Sequence, residues 1–211
     1  KSKNISVPSD LSSAAFFIVA TLINKNSYLK IDGININPTR SGILKALNMM
    51  DAKIIINNER TLNGEIVADL EIKSSELKGC ELPEDMAQLM IDEYPILSIA
   101  ASFANSPSQF NGLGELKVKE SNRLELIRQN LDQCGIFCNI DKDNLFIDPT
   151  KKNKIKNNII RTDSDHRIAM SFAVMGTKLD TNLKINDSEY IKTSFPKFVE
   201  SLNSIGGNLS E

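Results

Sequence analysis

The sequence has few of the residues that build metal centres, disulfide frameworks or aromatic nucleic-acid surfaces. Its 211 residues include three cysteines, one histidine and no tryptophan, and aromatic residues make up 6%. An odd number of cysteines argues against a disulfide framework. A tetrahedral zinc site needs four ligands, more than Cys134, Cys138 and His166 provide. We therefore expect no bound metal, and we expect the cysteines to be packing residues.

The chain also lacks a strong charge of either sign. It has 25 lysines and arginines against 27 aspartates and glutamates, a formal net charge of −2, and its basic residues form no tail. General attraction to nucleic acid or to a membrane surface is therefore not expected. Any anionic ligand must be held by local cations.

Long apolar runs are absent from the sequence. The longest candidates, residues 12–22 and 96–103, are too short to span a bilayer. The first residues show no signal-peptide pattern. The expectation is a cytoplasmic protein.

Two kinds of helix are predicted to alternate along the chain. Residues 12–20, 95–101 and 168–174 are apolar nearly all round, which is typical of helices inside a core. Residues 43–50, 124–134 and 195–205 carry apolar side chains at three-to-four spacing, which predicts amphipathic helices. Short β-rich runs separate them, and Asn63-Gly64 predicts a hairpin turn. Residues 151–158 are predicted to form a surface loop.

The spacing of these features indicates internal repetition. The distances from Ser12 to Arg40, from Asp92 to Glu120 and from the residue at 165 to that at 193 are all 28 residues. We predict an α+β domain over residues 1–211 with three repeats, approximately 5–80, 81–150 and 151–211, the last one shortened. An ordinary α+β domain whose spacing matches by chance is the alternative.

Three carboxylates occupy corresponding positions in this scheme, each predicted at a helix start: Asp92, Glu120 and Asp165. An acid at a helix start often serves only as a cap or dipole partner. Three equivalent positions in a symmetric domain, however, can converge on one face. That face would also carry cations, namely Lys119, Arg123 and Arg167.

The predicted cations each have a structural and a functional interpretation. Arg123 follows Glu120 by three residues, so the two can form a surface ion pair of small energetic value. Alternatively, its guanidinium is a fork for a phosphate or carboxylate ligand. Arg167 has the same two interpretations. His166 is expected to play a supporting role.

Five stretches of the sequence resemble a known family. They are residues 117–124 (Lys-Val-Lys-Glu-Ser-Asn-Arg-Leu), 165–170 (Asp-His-Arg-Ile-Ala-Met), 7–16, 90–97 and 193–196. Together they resemble the signatures of the 5-enolpyruvylshikimate-3-phosphate synthase family, in family order and nearly end to end. The resemblance is to the bacterial subclass that carries Ile-Asp-Glu-Tyr-Pro.

The resemblance implies a fold and a reaction. Family members are two-domain enzymes, and each domain is an alpha-beta prism of three βαβαββ units. This chain resembles the C-terminal domain, without the N-terminal domain and without the short N-terminal segment that returns to it. Family members transfer the enolpyruvyl group of phosphoenolpyruvate to the 5-hydroxyl of shikimate 3-phosphate and release phosphate, with no cofactor. The parent enzyme is expected to be a monomer.

The resemblance also implies roles for individual residues. Asp92 matches the proton acceptor that contacts the shikimate hydroxyl, and Glu120 matches the residue that protonates the phosphoenolpyruvate methylene carbon. Lys119 matches a lysine between the two substrates. Arg123 and Arg167 match arginines that bind phosphoenolpyruvate.

The match has departures, and other functions remain open. Ser9 and Asn122 replace the commoner glycine and aspartate, and Thr193 stands where some relatives have a substrate-binding lysine. Lys192 is one residue away and is assigned no role. The alternatives are a transferase that adds enolpyruvate to UDP-N-acetylglucosamine and a non-catalytic anion-binding domain.

Overall fold

Three apolar helices lie at the centre of the fold and pack against one another. The computed structural model describes residues 6–210, except the side chain of residue 152. The central helices are α1 (Leu11–Ile23), α3 (Tyr94–Ser102) and α5 (His166–Gly176). All nine residues of α3 are buried. The prediction that these segments are core helices is confirmed.

Sheets and outer helices surround this centre. The outer helices are α2 (Gly42–Met49), α4 (Arg123–Gln133), α6 (Ile191–Ser194) and α7 (Phe198–Ser204). The strands are β1 (Tyr28–Asn35), β2 (Lys53–Leu62), β3 (Glu65–Lys73), β4 (Glu81–Leu82), β5 (Ser108–Phe110), β6 (Ile136–Asp141), β7 (Asn144–Lys152), β8 (Ile159–Ile160) and β9 (Lys184–Ile185). Helix α1 packs against β1 and β3, α3 against β7, and α5 against β9.

The sheets share one pattern of strand pairing. Their orders are β1-β3-β2, β4-β5-β7-β6 and β8-β9, and Ser9 forms a parallel bridge to Ile34 at the edge of the first. Each sheet has a parallel pairing linked through one of the central helices, which in the first sheet is the Ser9–Ile34 bridge, while the first two sheets add an antiparallel hairpin. This mixed helix and sheet architecture confirms the α+β class.

Local sequence signals account for several element boundaries. Asp10 caps α1 by accepting a hydrogen bond from the Ser13 amide at 2.8 Å, as short polar side chains do at helix starts. The Asn63-Gly64 hairpin forms as predicted between β2 and β3. Both residues have positive φ, 52° and 89°, which the preferred two-residue hairpin turn requires.

Other boundaries differ from the sequence prediction. The amphipathic helix predicted over 195–205 does not include Phe195 in the structure, because Pro196 lacks an amide hydrogen and disfavours helical geometry at the residue before it. Helix α6 ends at Ser194 and α7 begins at Phe198. The predicted loop at 151–158 begins two residues late, since β7 continues through 152. The β-rich runs of the sequence are residues 28–31, 53–56, 66–72, 136–140, 145–147 and 183–185, so the strands β4, β5 and β8 were not predicted. Positions 5 and 211, the outer ends of the predicted repeats, lie outside the described residues.

The cysteines pack as expected. Cys134 and Cys138 are buried in the core, Cys80 packs against it, and all are free thiols. Burial raises the pKa of the Cys134 thiol to about 11 and that of Cys138 to about 12.

Within residues 6–210, none of the helices has both the length and the apolar character needed to cross a membrane.

Candidate active site

The Arg123 guanidinium forms hydrogen bonds with all three of the predicted carboxylates. Its Nη1 donates to Asp92 Oδ1 at 2.8 Å, its Nη2 to Glu120 Oε2 at 2.5 Å and its Nε to Asp165 Oδ2 at 2.7 Å. Arg123 is the first residue of α4 and is only 1% exposed. Burial opposes its charge, but the Asp165 carboxylate and the other two outweigh that effect and raise its pKa.

Asp165 connects this arginine to the next central helix. One carboxylate oxygen caps α5, accepting from the amides of Arg167 at 2.9 Å and Ile168 at 3.3 Å. The other accepts from Arg123 Nε and from Ser121 Oγ at 2.9 Å. Asp165 itself is fully buried. These donors satisfy the hydrogen-bonding capacity of both oxygens of the buried carboxylate.

Asp92 lies in a short 3-10 turn, Ile91–Glu93, directly before α3. Burial raises the pKa of its carboxyl group, but the charges of Arg167, Arg123 and Lys119 outweigh this effect and hold the pKa below its ordinary value. Lys119 Nζ lies 3.7 Å from Asp92 Oδ1 and 2.5 Å from Glu115 Oε1. Asp92 is therefore favoured as an anion, the form that accepts a proton.

Glu120 forms the exposed side of the cluster. Its side chain is 54% exposed, and its Oε2 lies 3.4 Å from His166 Nδ1. Burial lowers the pKa of the His166 imidazole, against the attraction of the Glu120 carboxylate. Glu120 does not begin α4, because Asn122 is the cap and accepts from the Glu125 amide. The expectation that Glu120 lies at a helix start is wrong, since Ser121 and the Asn122 cap separate it from α4.

Arg167 approaches the cluster from α5. Its Nη1 donates to Ser12 Oγ at 2.8 Å and to the Asp92 carbonyl oxygen at 3.3 Å, and it lies 3.8 Å from Glu93 Oε1. Among the described residues, neither Nε nor Nη2 of Arg167 has a hydrogen-bond partner. Two donor groups of this arginine are therefore available to a ligand.

We call Asp92, Lys119, Glu120, Arg123, Asp165 and Arg167 the site cluster; it is the group that the sequence predicted to share one face. Sequence reasoning assigned no role to Ser12, Glu93 or Ser121, although all three lie within stretches that carry the family resemblance. Their contacts are long-range or depend on a loop conformation. No periodicity in the sequence would have indicated them.

Comparison with known proteins gives consistent matches. The family model for EPSP synthase (3-phosphoshikimate 1-carboxyvinyltransferase) matches residues 1–202. A relative of that name from Petrotoga mobilis is 47% identical and covers 94% of this chain, and one from Paramagnetospirillum magneticum is 44% identical and covers 97%. In both cases the match spans 46% of the relative. The chain thus spans about half the length of the curated relatives it matches.

Solved structures agree with the sequence matches. EPSP synthase from Acinetobacter baumannii superimposes with a TM-score of 0.91 at 40% identity, covering 97% of this chain and 47% of that one. The enolpyruvyl transferase NikO from Streptomyces tendae has a TM-score of 0.70 at 14% identity, covering 97% and 44%, which shows a shared fold alone. On these matches, and on the site motifs that the fold brings together, the chain belongs to the EPSP synthase family.

Proposed function

We propose that this chain forms the C-terminal part of an enzyme that transfers the enolpyruvyl group of phosphoenolpyruvate to the 5-hydroxyl of shikimate 3-phosphate. The observation that carries the proposal is the convergence of Asp92, Glu120 and Asp165 on Arg123. The names of the relatives favour shikimate 3-phosphate over UDP-N-acetylglucosamine as the acceptor. A partly buried cluster of paired charges is also more than a passive anion-binding face requires.

The proton chemistry is divided between Asp92 and Glu120. The charges around Asp92 favour its carboxylate form, which suits a group that takes the proton of the 5-hydroxyl. Glu120 is open to solvent on the other side of Arg123 and is proposed to protonate the methylene carbon of phosphoenolpyruvate. His166, within 3.4 Å of Glu120, supports its orientation.

Cations in the cluster are proposed to bind the substrates. Arg167 offers its open Nε and Nη2 to phosphoenolpyruvate. Lys119 and Arg123 are paired with carboxylates, so a substrate anion must compete with these or use their remaining N–H groups. Fixed charges of this kind contribute mainly through positioning and electrostatic preorganisation. We propose Lys119 as a contact of shikimate 3-phosphate and Arg123 as a second contact of phosphoenolpyruvate.

The relatives support the proposal of a larger parent enzyme, because this chain matches 46% of the length of each of the two named above. In the first two sheets an antiparallel hairpin pairs beside the strand that follows the central helix. Within residues 6–210, no such hairpin pairs with β9. A cavity of about 840 Å³ lies against β9, α5 and α6, away from the site cluster. We propose that the segment returning from the N-terminal part completes this sheet in a cytoplasmic, monomeric parent with repeats near 5–80, 81–150 and 151–211.

The function is tested by joining this chain to the N-terminal half of the Petrotoga mobilis relative. Phosphate release is measured with phosphoenolpyruvate and either shikimate 3-phosphate or UDP-N-acetylglucosamine. We expect turnover with shikimate 3-phosphate alone, and weak phosphoenolpyruvate binding without turnover from the 211-residue chain. If the folded fusion shows no turnover with either acceptor, the proposal that the parent is an enolpyruvyl transferase is rejected.

In the same fusion, Glu120→Gln tests the proton-transfer role. We expect kcat to fall by about 10²- to 10⁴-fold, the usual contribution of a general acid, with little change in substrate affinity. Glu125→Gln is the matched control, because Glu125 also pairs with an arginine three residues away, Arg128, but lies outside the site cluster. An equal loss of binding and turnover in Glu120→Gln would contradict the role.

A further inference from the structure

A buried glutamate that the proposed reaction does not use lies directly behind Arg167. Glu93 is 6% exposed, and its carboxylate accepts a hydrogen bond from the Ser12 hydroxyl. Ser12 in turn accepts from Arg167 Nη1 at 2.8 Å. A hydroxyl can donate one hydrogen bond and accept another. The three side chains therefore form a continuous relay from Arg167 through Ser12 to Glu93.

The relay joins the three central helices. Ser12 lies in the first turn of α1, Glu93 immediately precedes α3, and Arg167 lies in the first turn of α5. Ser12 and Arg167 are 155 residues apart in sequence. The relay and the Asp92 carbonyl oxygen all meet Arg167 at Nη1, so they fix one edge of the guanidinium. Its other edge, with Nε and Nη2, is left for a ligand.

We propose that Glu93, acting through Ser12, is a positioning residue that holds Arg167 in the orientation that binds the substrate anion. The inference rests on the function proposed above for the role of Arg167, but the placement of Arg167 stands on the contacts alone. Glu93 approaches Arg167 on the Nη1 side, with its Oε1 3.8 Å from that nitrogen, which leaves the position beside Nε and Nη2 to the ligand.

The electrostatics of Glu93 support a positioning role over one in stability. Burial raises the pKa of its carboxyl group, although the Ser12 hydrogen bond and the Arg167 charge oppose that effect. A buried carboxylate that is only partly compensated stabilises a fold poorly. Its placement instead constrains Arg167, whose long side chain otherwise has several freely rotating bonds.

The first test measures the mobility of Arg167 in the 211-residue chain and needs no substrate. Nuclear magnetic resonance relaxation of the labelled arginine Nε groups gives an order parameter for each side chain. In Glu93→Gln and Ser12→Ala we expect the Arg167 value to fall from about 0.8 to below about 0.6, while that of Arg123 stays constant. Glu125→Gln, beside Arg128, is the matched control. An unchanged Arg167 value in both variants would overturn the proposal.

The second test measures phosphoenolpyruvate binding to the fusion enzyme. Glu93→Gln should raise the dissociation constant about tenfold, without changing the affinity for shikimate 3-phosphate. The double variant Glu93→Gln with Arg167→Ala should bind no more weakly than Arg167→Ala alone, because the two act through one group. Additive losses would contradict the positioning role.

The two tests separate this inference from the proposed function. If Arg167→Ala leaves phosphoenolpyruvate binding intact, the substrate role of Arg167 is wrong. The claim that Glu93 orients Arg167 for the substrate anion is then wrong as well. If Arg167→Ala weakens binding and Glu93→Gln does not, the positioning role alone is rejected. A merely structural glutamate would lower the affinities for both substrates equally.

Discussion

Arg123 and Arg167 belong to the same site but are held in opposite ways. Arg123 is enclosed, with each of its three guanidinium nitrogens bonded to a different carboxylate. Among residues 6–210, the guanidinium of Arg167 has hydrogen-bond partners at Nη1 alone, and its side chain is 18% exposed against 2% for Arg123. The first organises other protein groups, while the second presents donors outward. Two arginines that the sequence treats alike therefore differ in what they offer a ligand: Arg123 has only its remaining N–H groups, while Arg167 has two open nitrogens.

The largest expected difference in unfolding free energy is between variants of the carboxylates that hold the two arginines. Asp165→Ala removes the buried partner of Arg123 and the cap of α5, and we expect it to lower the free energy of unfolding by about 4 kcal/mol. Glu93→Gln removes the charge behind Arg167 but keeps its shape, and should change that free energy by less than about 1 kcal/mol. Urea unfolding of the chain measures both.

Asp165→Asn is the control for this prediction, since it retains one oxygen acceptor, replaces the other by an NH₂ donor and removes the charge. We expect its loss of unfolding free energy to lie between those of Asp165→Ala and Glu93→Gln. If Asp165→Ala and Glu93→Gln were equally destabilising, Arg123 would not be the more firmly built of the two arginines. The distinction between Arg123, which holds the protein's own carboxylates, and Arg167, which offers donors to a ligand, would then be wrong.

A smaller difference is expected when each arginine becomes a lysine. Arg123→Lys replaces a planar fork by a point charge that cannot reach three carboxylates in their present directions, and should cost about 2–3 kcal/mol of unfolding free energy. Arg167→Lys should cost less than about 1 kcal/mol, because a single amine can replace the contacts of Nη1. Thermal and urea unfolding provide the measurement, and the reverse order of losses would refute it.

The smallest effect expected is on the pH dependence of stability at Asp92, which faces both arginines. Its folded pKa lies below the unfolded value of about 3.9. The stabilisation is therefore present above that value and is lost as the pH falls through the folded pKa. The stability difference between the unmodified chain and Asp92→Asn should shrink between pH 5 and pH 2 (about 1–2 units either side of the unfolded pKa). Urea unfolding across that range measures it; a difference that grows on acidification would show that Asp92 does not depend on these cations.

Much of the fold was predictable because burial leaves a direct trace in sequence. A helix enclosed on all sides must be apolar all round, and α1, α3 and α5 meet that condition. The Asn63-Gly64 turn likewise follows from local geometry. The short strands β4 and β8 gave no such signal, since two residues cannot show a period and their pairing depends on distant partners.

The site was predictable as a set of residues but not as a set of contacts. Spacing and motifs identified Asp92, Glu120 and Asp165, and the fold brings them together. That Asp165 serves both Arg123 and α5 depends on a contact between residues 42 positions apart. The same holds for Ser12 and Glu93, whose partners are set by packing of the central helices. Such long-range contacts are decided by tertiary structure rather than by local pattern.

The parallel pairing of strands around the central helices also has a consequence that we expect for the order in which this chain folds. The hairpins β2 with β3 and β6 with β7 are local and close only short loops. The parallel pairs β4 with β5 and β8 with β9 form only once a helix has been placed between them, and such non-local closure is slow. The link from Ser12 to Arg167 spans most of the chain. We therefore expect the site to assemble in the last steps of folding, so that a formed site indicates a fully folded chain.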